Sequence, residues 1–264
     1  MKVLPTLALA CAFFAPLSLT ASAHAASPWD GTWNLNRAKS HLTGDSFTYT
    51  KLPNGMWHFA YGNIGYDFAP DGKSYPSFDP EHPVTTTANG DHALTIVTSF
   101  KGKPTSTIQE TLSPDGQTLT DVTTGVHPDG SSYTTTVVSK RSGPGTDFFA
   151  KWVSTKEESN TKATFTLNTA ADGSMTWNFP ISKETATAKM DGTPAPITGP
   201  QVPAGVIITY KKVSARRLTF SVMFKDKPVG EGYDELSADG KTLEETSWVP
   251  GKMSEKTTSV YDKQ

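Results

Sequence analysis

Histidines and acids are the residues in this chain with the widest chemical repertoire, and their spacing argues against a metal or a catalytic group. His41, His58, His82, His92 and His127 all fall in the N-terminal half. None stands in the H-E-x-x-H or H-x-H spacing that brings two imidazoles onto one zinc ion. His58 lies between Trp57 and Phe59 and alternates towards solvent, while His41, His82 and His127 sit in loop-like contexts beside Pro or Ser. His92 shares parity with Leu94 and is the one acid or base expected at a barrel mouth. Glu157-Glu158 and Glu244-Glu245 are adjacent pairs whose side chains oppose one another across a strand, so each reads as a charged face. The other half has Thr120-Asp121 at the second location. There is no G-x-S-x-G elbow, Walker-type loop or G-x-G-x-x-G turn, and Gly143-Pro144-Gly145 has no helix N-terminus to hold phosphate. Cys11 is the only cysteine. Beyond the leader no thiol is left for a disulfide, a thiolate metal site or a nucleophile. No catalytic residue, metal ligand or cofactor is assigned, and the reading leans away from an enzyme.

The chemistry that remains is apolar recognition. Trp57, Phe59 and Tyr61 share one strand face, as do Trp177 and Phe179, and Phe100, Phe220 and Phe224 lie on the inward parity of two further strands. These eight side chains are the candidate ligand-binding residues. They either fill a core or line a cavity for a small apolar or amphipathic molecule. An eight-stranded barrel is of the size where both outcomes occur.

The elements that carry them are strands. Asn54-Gly55, Asp71-Gly72, Asn89-Gly90, Asp115-Gly116, Asp129-Gly130, Asp172-Gly173, Asp191-Gly192 and Asp239-Gly240 punctuate the chain as hairpin turns. Charged residues are 19%, the hydrophobic class is 36%, and Thr, Gly and Pro are abundant, a mixture that favours strands over long helices. Asp147–Lys156 is the only moderate helical candidate. An antiparallel meander of eight or so strands per copy is expected. The net charge is −2, with basic residues scattered, so no stripe exists to neutralise nucleic-acid phosphates.

The chain repeats itself. Residues 93–124 and 217–248 align without a gap at an offset of 124, with 12 of 32 positions identical. Phe100/Phe224, Pro104/Pro228 and Asp115-Gly116/Asp239-Gly240 are among the identities. At nearby offsets Trp57-x-Phe59 answers Trp177-x-Phe179, Trp33 answers Trp152, and the copies finish on Lys140-Arg141 and Lys263-Gln264. Residues 26–142 and 147–264 are therefore read as two barrel-like copies. Residues 1–25 read as a cleaved export signal: Lys2, an apolar run from Val3 to Leu19, then Ala21-Ser22-Ala23 or Ala23-His24-Ala25 as the peptidase site. Lipidation at Cys11 is the lesser alternative. No later segment has the roughly 18 apolar residues of a membrane span.

Gly31-Thr32-Trp33, Leu35-Asn36 and Lys39-Ser40 open the first copy. Asp71-Gly72-Lys73-Ser74-Tyr75-Pro76, Ser237-Ala238-Asp239-Gly240-Lys241-Thr242-Leu243 and Val260-Tyr261-Asp262-Lys263-Gln264 follow. These segments resemble a group of secreted bacterial lipocalin-like proteins, here in two tandem copies. The resemblance implies an all-β fold of two calycin-like barrels from an internal duplication, with the Trp of G-x-W plugging one barrel end. Copy two keeps the Trp and lacks the Gly, as Ala150-Lys151-Trp152. The expected function is an exported protein that binds a small hydrophobic or amphipathic molecule. A barrel-type cyclase or isomerase and an envelope interaction module with filled cores are the alternatives.

The leader reading carries a direct test. N-terminal sequencing of exported material is expected to start near His24 or Ala26; an intact Met1, or a lipid on Cys11, refutes it.

Overall fold

The computed structural model describes residues 27–264; the leader, its cleavage sites and Cys11 lie outside the described residues. The chain is all-β and holds two ten-stranded antiparallel sheets, each a calycin-like barrel. The first copy supplies β1 (Gly31–Leu35), β2 (Ser46–Lys51), β3 (Trp57–Tyr61), β4 (Ile64–Phe68), β5 (Asp71–Tyr75), β6 (Val84–Ala88), β7 (Ala93–Phe100), β8 (Lys103–Leu112), β9 (Thr118–Val126) and β10 (Ser132–Thr146). The second supplies β11 (Phe149–Ser159), β12 (Thr164–Thr169), β13 (Met175–Phe179), β14 (Glu184–Ala188), β15 (Asp191–Thr198), β16 (Val206–Ser214), β17 (Arg217–Phe224), β18 (Lys227–Leu236), β19 (Thr242–Trp248) and β20 (Thr257–Lys263). A 3₁₀ turn, Met253–Glu255, precedes β20. No helix among the described residues is long and apolar enough to cross a membrane.

The barrels hold ten strands where eight or so were expected, and they do not divide where the repeats divide. The first barrel is contiguous, β2 to β11, in the order β4-β3-β2-β11-β10-β9-β8-β7-β6-β5. Its seam lies between β4 and β5, which follow one another in the chain across Ala69-Pro70. The second closes only because β1 pairs with both β12 and β20. The first barrel is thus inserted between the first and second strands of the second. The boundary between residues 142 and 147 marks the repeat, while β10 and β11 continue as one hairpin across it, Thr146 pairing with Phe149.

The helical reading of Asp147–Lys156 gives way to β11. Its burial alternates, with Ala150, Trp152 and Ser154 inside, and it is paired on both edges by β10 and β2. Period two together with two hydrogen-bonded neighbours outweighs a modest helical propensity.

Both barrels are sealed by the same lock. The indole of Trp33 donates to the carbonyl of Trp29 at 3.0 Å, and that of Trp152 to the carbonyl of Phe148 at 2.9 Å. Lys263 lies 5.1 Å from the centre of the Trp33 ring and donates to the Pro28 carbonyl. Arg141 lies 4.9 Å from the Trp152 ring and donates to the Asp147 carbonyl. Each basic residue at a copy's end thus gains a ring face and an orphan carbonyl. The glycine of the opening motif follows from its backbone, since Gly31 at φ +143° holds a conformation that a side chain would strain. Between the barrels, Glu255 accepts from Ser46 and Lys151, and Arg37 pairs with Glu157 at 2.7 Å.

This insertion predicts crossed effects. Trp33→Ala and Trp152→Ala should each cost about 3–5 kcal/mol, the usual cost of deleting a buried Trp. Hydrogen exchange should then show Trp33→Ala loosening residues 164–263 and Trp152→Ala loosening residues 46–159. Each mutation loosening its own sequence repeat instead would contradict the topology.

Candidate functional site

Two identical turns position the chemistry of both barrels. In the β8–β9 hairpin the Ser113 hydroxyl donates to Asp115, Asp115 accepts the Gln117 amide at 3.0 Å, and Ser113 accepts the Thr118 amide at 2.9 Å. Ser237, Asp239, Lys241 and Thr242 repeat this in the β18–β19 hairpin. Gly116 and Gly240, at φ +67° and +68°, turn the chain where a side chain would be strained. With the turns fixed, the register follows. Leu112 faces Leu119 and Leu236 faces Leu243, all four buried. Two residues further along, on the same inner face, Glu110 faces Asp121 and Asp234 faces Glu245.

Each barrel therefore holds a pair of carboxyl groups opposite one another across adjacent strands. Glu110 and Asp234 are each only 4% exposed. Among the described residues, no ion pair includes any of the four acids. The Tyr49 hydroxyl donates to Glu110 Oε1 at 2.8 Å. Glu110 Oε2, Asp121 Oδ1 and Asp234 Oδ1 find no partner in the protein. Burial, then the charge of Asp121, pushes Glu110 up to about 8 against the smaller opposing effect of the Tyr49 hydrogen bond. Burial raises Asp121 and Glu245 to about 7. Burial and the charge of Glu245 raise Asp234 as well. At neutral pH such pairs retain protons, because two unscreened charges at this distance cannot both persist in a low dielectric.

The inward acids correct two expectations. His92 is exposed in the turn before β7, so the groups able to hold or move a proton inside the barrels are carboxyls. The inner faces are likewise not wholly apolar. Of the adjacent acids, Glu157 and Glu158 do form a charged face, paired with Arg37 and Lys156. Glu244 points outward and Glu245 inward. Two signals in the sequence mark this arrangement. The 124-residue offset puts an acid on an acid at Glu110/Asp234 and at Asp121/Glu245, and each acid keeps parity with an inward Leu two positions away.

The aromatic candidates divide. Trp57 and Phe59 pack, half-buried, on the first core, with Phe47, Tyr49, Tyr66 and Phe68 on the neighbouring strands. Tyr61 lies beyond them near Asp45, at the junction with the second barrel, where it borders a cleft with Trp248 and Val249. Phe100 stacks on His82 at 4.8 Å, and the buried Phe224 meets Phe78 of the first barrel at 6.2 Å, edge to face. Trp177, Phe179 and Phe220 belong to the second core, where Trp177 stacks on Tyr210 at 3.9 Å. A groove of about 580 Å³ runs along the wall of the second barrel, lined by Lys211, Thr219, Tyr233, Trp248 and Met253 among others, and of the eight aromatic candidates Phe220 borders it. It is separate from the carboxyl pairs. Among the described residues, no cluster of three or more His, Cys, Asp or Glu is arranged to hold a metal ion.

These features define a class, the internally duplicated double calycin-like barrel with an acid pair in each core. No family model, curated protein or solved structure matches the chain.

The acid pairs set a pH dependence. Their folded-state values lie above those of the unfolded chain, so their contribution is most favourable below about pH 4 and is lost as pH rises towards 8. Glu110→Gln should therefore raise stability at pH 8.5 by about 2–4 kcal/mol relative to its effect at pH 4. Urea unfolding at the two pH values measures this; an equal effect at both would mean that Glu110 is not held protonated.

Proposed function

We propose that this chain is an exported, lipocalin-like binding protein whose first barrel takes a small amphipathic molecule. The observation that carries the reading is the half-buried aromatic wall on β2, β3 and β4. Phe47, Trp57, Phe59 and Tyr66 face inward without being enclosed, with Phe47 5.8 Å from Phe59 and Phe59 5.2 Å from Tyr66. The second core is different. Among the described residues it gathers fifteen buried side chains against eight in the first, and its Trp177–Tyr210 stack spends ring area on internal packing. A wall of rings that is wetted on one side gains most when an apolar body removes that water. The leader sequence and the resemblance of the opening motif support export and the lipocalin-like class.

One observation favours an enzyme of cyclase or isomerase type instead. The carboxyl pairs titrate in the range useful for general acid–base work. Against it, the copies interchange Glu and Asp, moving each carboxyl by a methylene. Proton transfer tolerates such displacement poorly.

An environment-sensitive hydrophobic dye tests the binding reading. Saturable binding to the folded protein is expected. Phe59→Ala should weaken it about tenfold, the effect of losing roughly 60 Å² of apolar contact at about 25 cal/mol per Å². Phe165→Ala, in the second core and away from the groove on that barrel's outer wall, should leave it unchanged. The reading fails if wild type does not bind, or if Phe59→Ala alters stability alone.

A further inference from the structure

We propose that the groove on the outer face of the second barrel is a binding site for a small amphipathic anion, a carboxylate on an aromatic body. The site is separate from the aromatic wall of the first barrel and does not rest on the binding reading above.

Strand register builds the groove. Ser221 of β17, Glu231 of β18 and Trp248 of β19 stand in one row across the sheet, and Lys211 of β16, Thr219 and Tyr233 in another. Between the two rows lies that of Tyr210 and Phe220, which belongs to the core, so the flanking rows face outward. Ser221 and Thr219 leave a low floor, and the rings of Tyr233 and Trp248, 6.3 Å apart at 61°, form a corner beside it. The connection from β19 to β20 folds as the 3₁₀ turn and brings Met253 and Lys256 to the rim. Glu255 of that turn is held by Ser46 and Lys151 of the first barrel, so the rim projects from an anchored segment. Met253 is 61% exposed, an apolar side chain that the fold itself leaves uncovered.

The first copy shows that a barrel closes without these features. At the same register its outer face carries Thr87, Gln109 and Thr124 where the second has Lys211, Tyr233 and Trp248. Ala93 and Thr107 likewise stand where the second has Arg217 and Glu231. Its β9–β10 ladder also runs on to Val126 and Ser132, whereas the β19–β20 ladder stops at Ser247 and Thr257 and makes way for the turn. Small neutral side chains have thus given way, on one face of one copy, to two rings, two cations and an acid.

Charge selects the ligand. The acid is engaged, because the Trp248 indole donates to Glu231 at 3.1 Å. Arg217 lies 3.9 Å over the Tyr233 ring and 3.1 Å from Glu235. Among the described residues, Lys211 and Lys256 enter no ion pair. Three cations therefore line the groove against one acid, in a chain whose net charge is −2. An anion with an apolar body matches both parts of the lining: its rings take the aromatic corner, and its carboxylate accepts from the ammonium groups. A concave volume of about 580 Å³ is that of a small-molecule site, typically about 300–1,000 Å³, and suits a bounded molecule better than a flat membrane surface.

The test is calorimetry on the purified protein with 2-naphthoate and its uncharged analogue 2-naphthylmethanol. At low salt the carboxylate should bind at least about tenfold more tightly than the alcohol, and the advantage should shrink several-fold at about 0.5 M salt. Lys211→Gln/Lys256→Gln should erase that advantage and leave the affinity of the alcohol unchanged. Trp248→Thr, the residue of the first copy, should weaken both ligands about tenfold through lost ring contact. If that variant does not fold, Tyr233→Gln, again the residue of the first copy, should weaken both in its place. Phe59→Ala should change neither. Equal binding of carboxylate and alcohol, or failure of both to bind, overturns the proposal. Binding that is lost in Phe59→Ala and kept in Trp248→Thr places the ligand in the first barrel; the groove proposal then falls while the binding reading stands. Binding to anionic phospholipid vesicles without naphthoate binding would make this face a membrane contact and overturn the proposal as well.

Discussion

Closure of the sheet is the constraint from which the rest follows. A meander of nine strands ends in two edges with unpaired backbone groups, and one more strand between the first and the last joins them; the second sheet closes fully in this way, while the first keeps a seam between β4 and β5. The chain meets this need by reciprocal supply. The first copy's opening strand joins β12 to β20 in the second barrel, and the second copy's opening strand joins β10 to β2 in the first. Each closing strand brings a tryptophan inside, and each copy's last strand brings a cation over the ring that plugs its barrel. Strand, plug and cation arrive as one unit, so the three cannot be exchanged separately without leaving an indole N–H or a carbonyl unpaired.

Closure also decides where the acids go. Once β8 and β9, and β18 and β19, are fixed by their Ser-x-Asp-Gly turns, alternation carries one acid from each strand into the barrel. Isolated charges there would be intolerable, and pairing like with like makes the raised values a consequence of geometry. Part of the stability supplied by the aromatic cores is therefore set against protonated carboxyls, a cost that both copies retain while exchanging Glu for Asp.

Much of this was legible in the residues themselves. Twelve identities at one offset gave the duplication, and period two gave the faces of β7, β13 and β17. The strand exchange was not visible in the repeat, because an offset pairs Trp33 with Trp152 as equivalents and is silent about which sheet each joins. Loop length held the missing information: two residues separate β10 from β11, enough only for a hairpin, while ten separate β1 from β2. The acid pairs are hidden as long as Glu244-Glu245 is taken as an isolated dipeptide. As members of a strand that also carries Leu243, one of the two has to face inward. Tyr61, Phe100 and Phe224 share parity with core residues but stand at strand ends, where the inner face opens onto the junction or a hairpin. Parity predicts a face and leaves depth along the barrel open.

Duplication lets two copies of one fold divide the demands on it. A barrel that keeps a buried acid pair gives up apolar packing contacts at that point. Here the second barrel carries dense packing around Trp33, Trp177 and Tyr210, and through β1 it is bound to the segment that leads into the first. The first barrel in turn is held at its chain ends, Ser46 and Ser159, by the strands and ion pairs of its neighbour, with Glu255 gripping Ser46 and Lys151. An inserted domain whose ends are fixed has less conformational freedom to lose on folding. That restraint offsets part of the cost of the acid pair in the barrel that is inserted into the chain of the other.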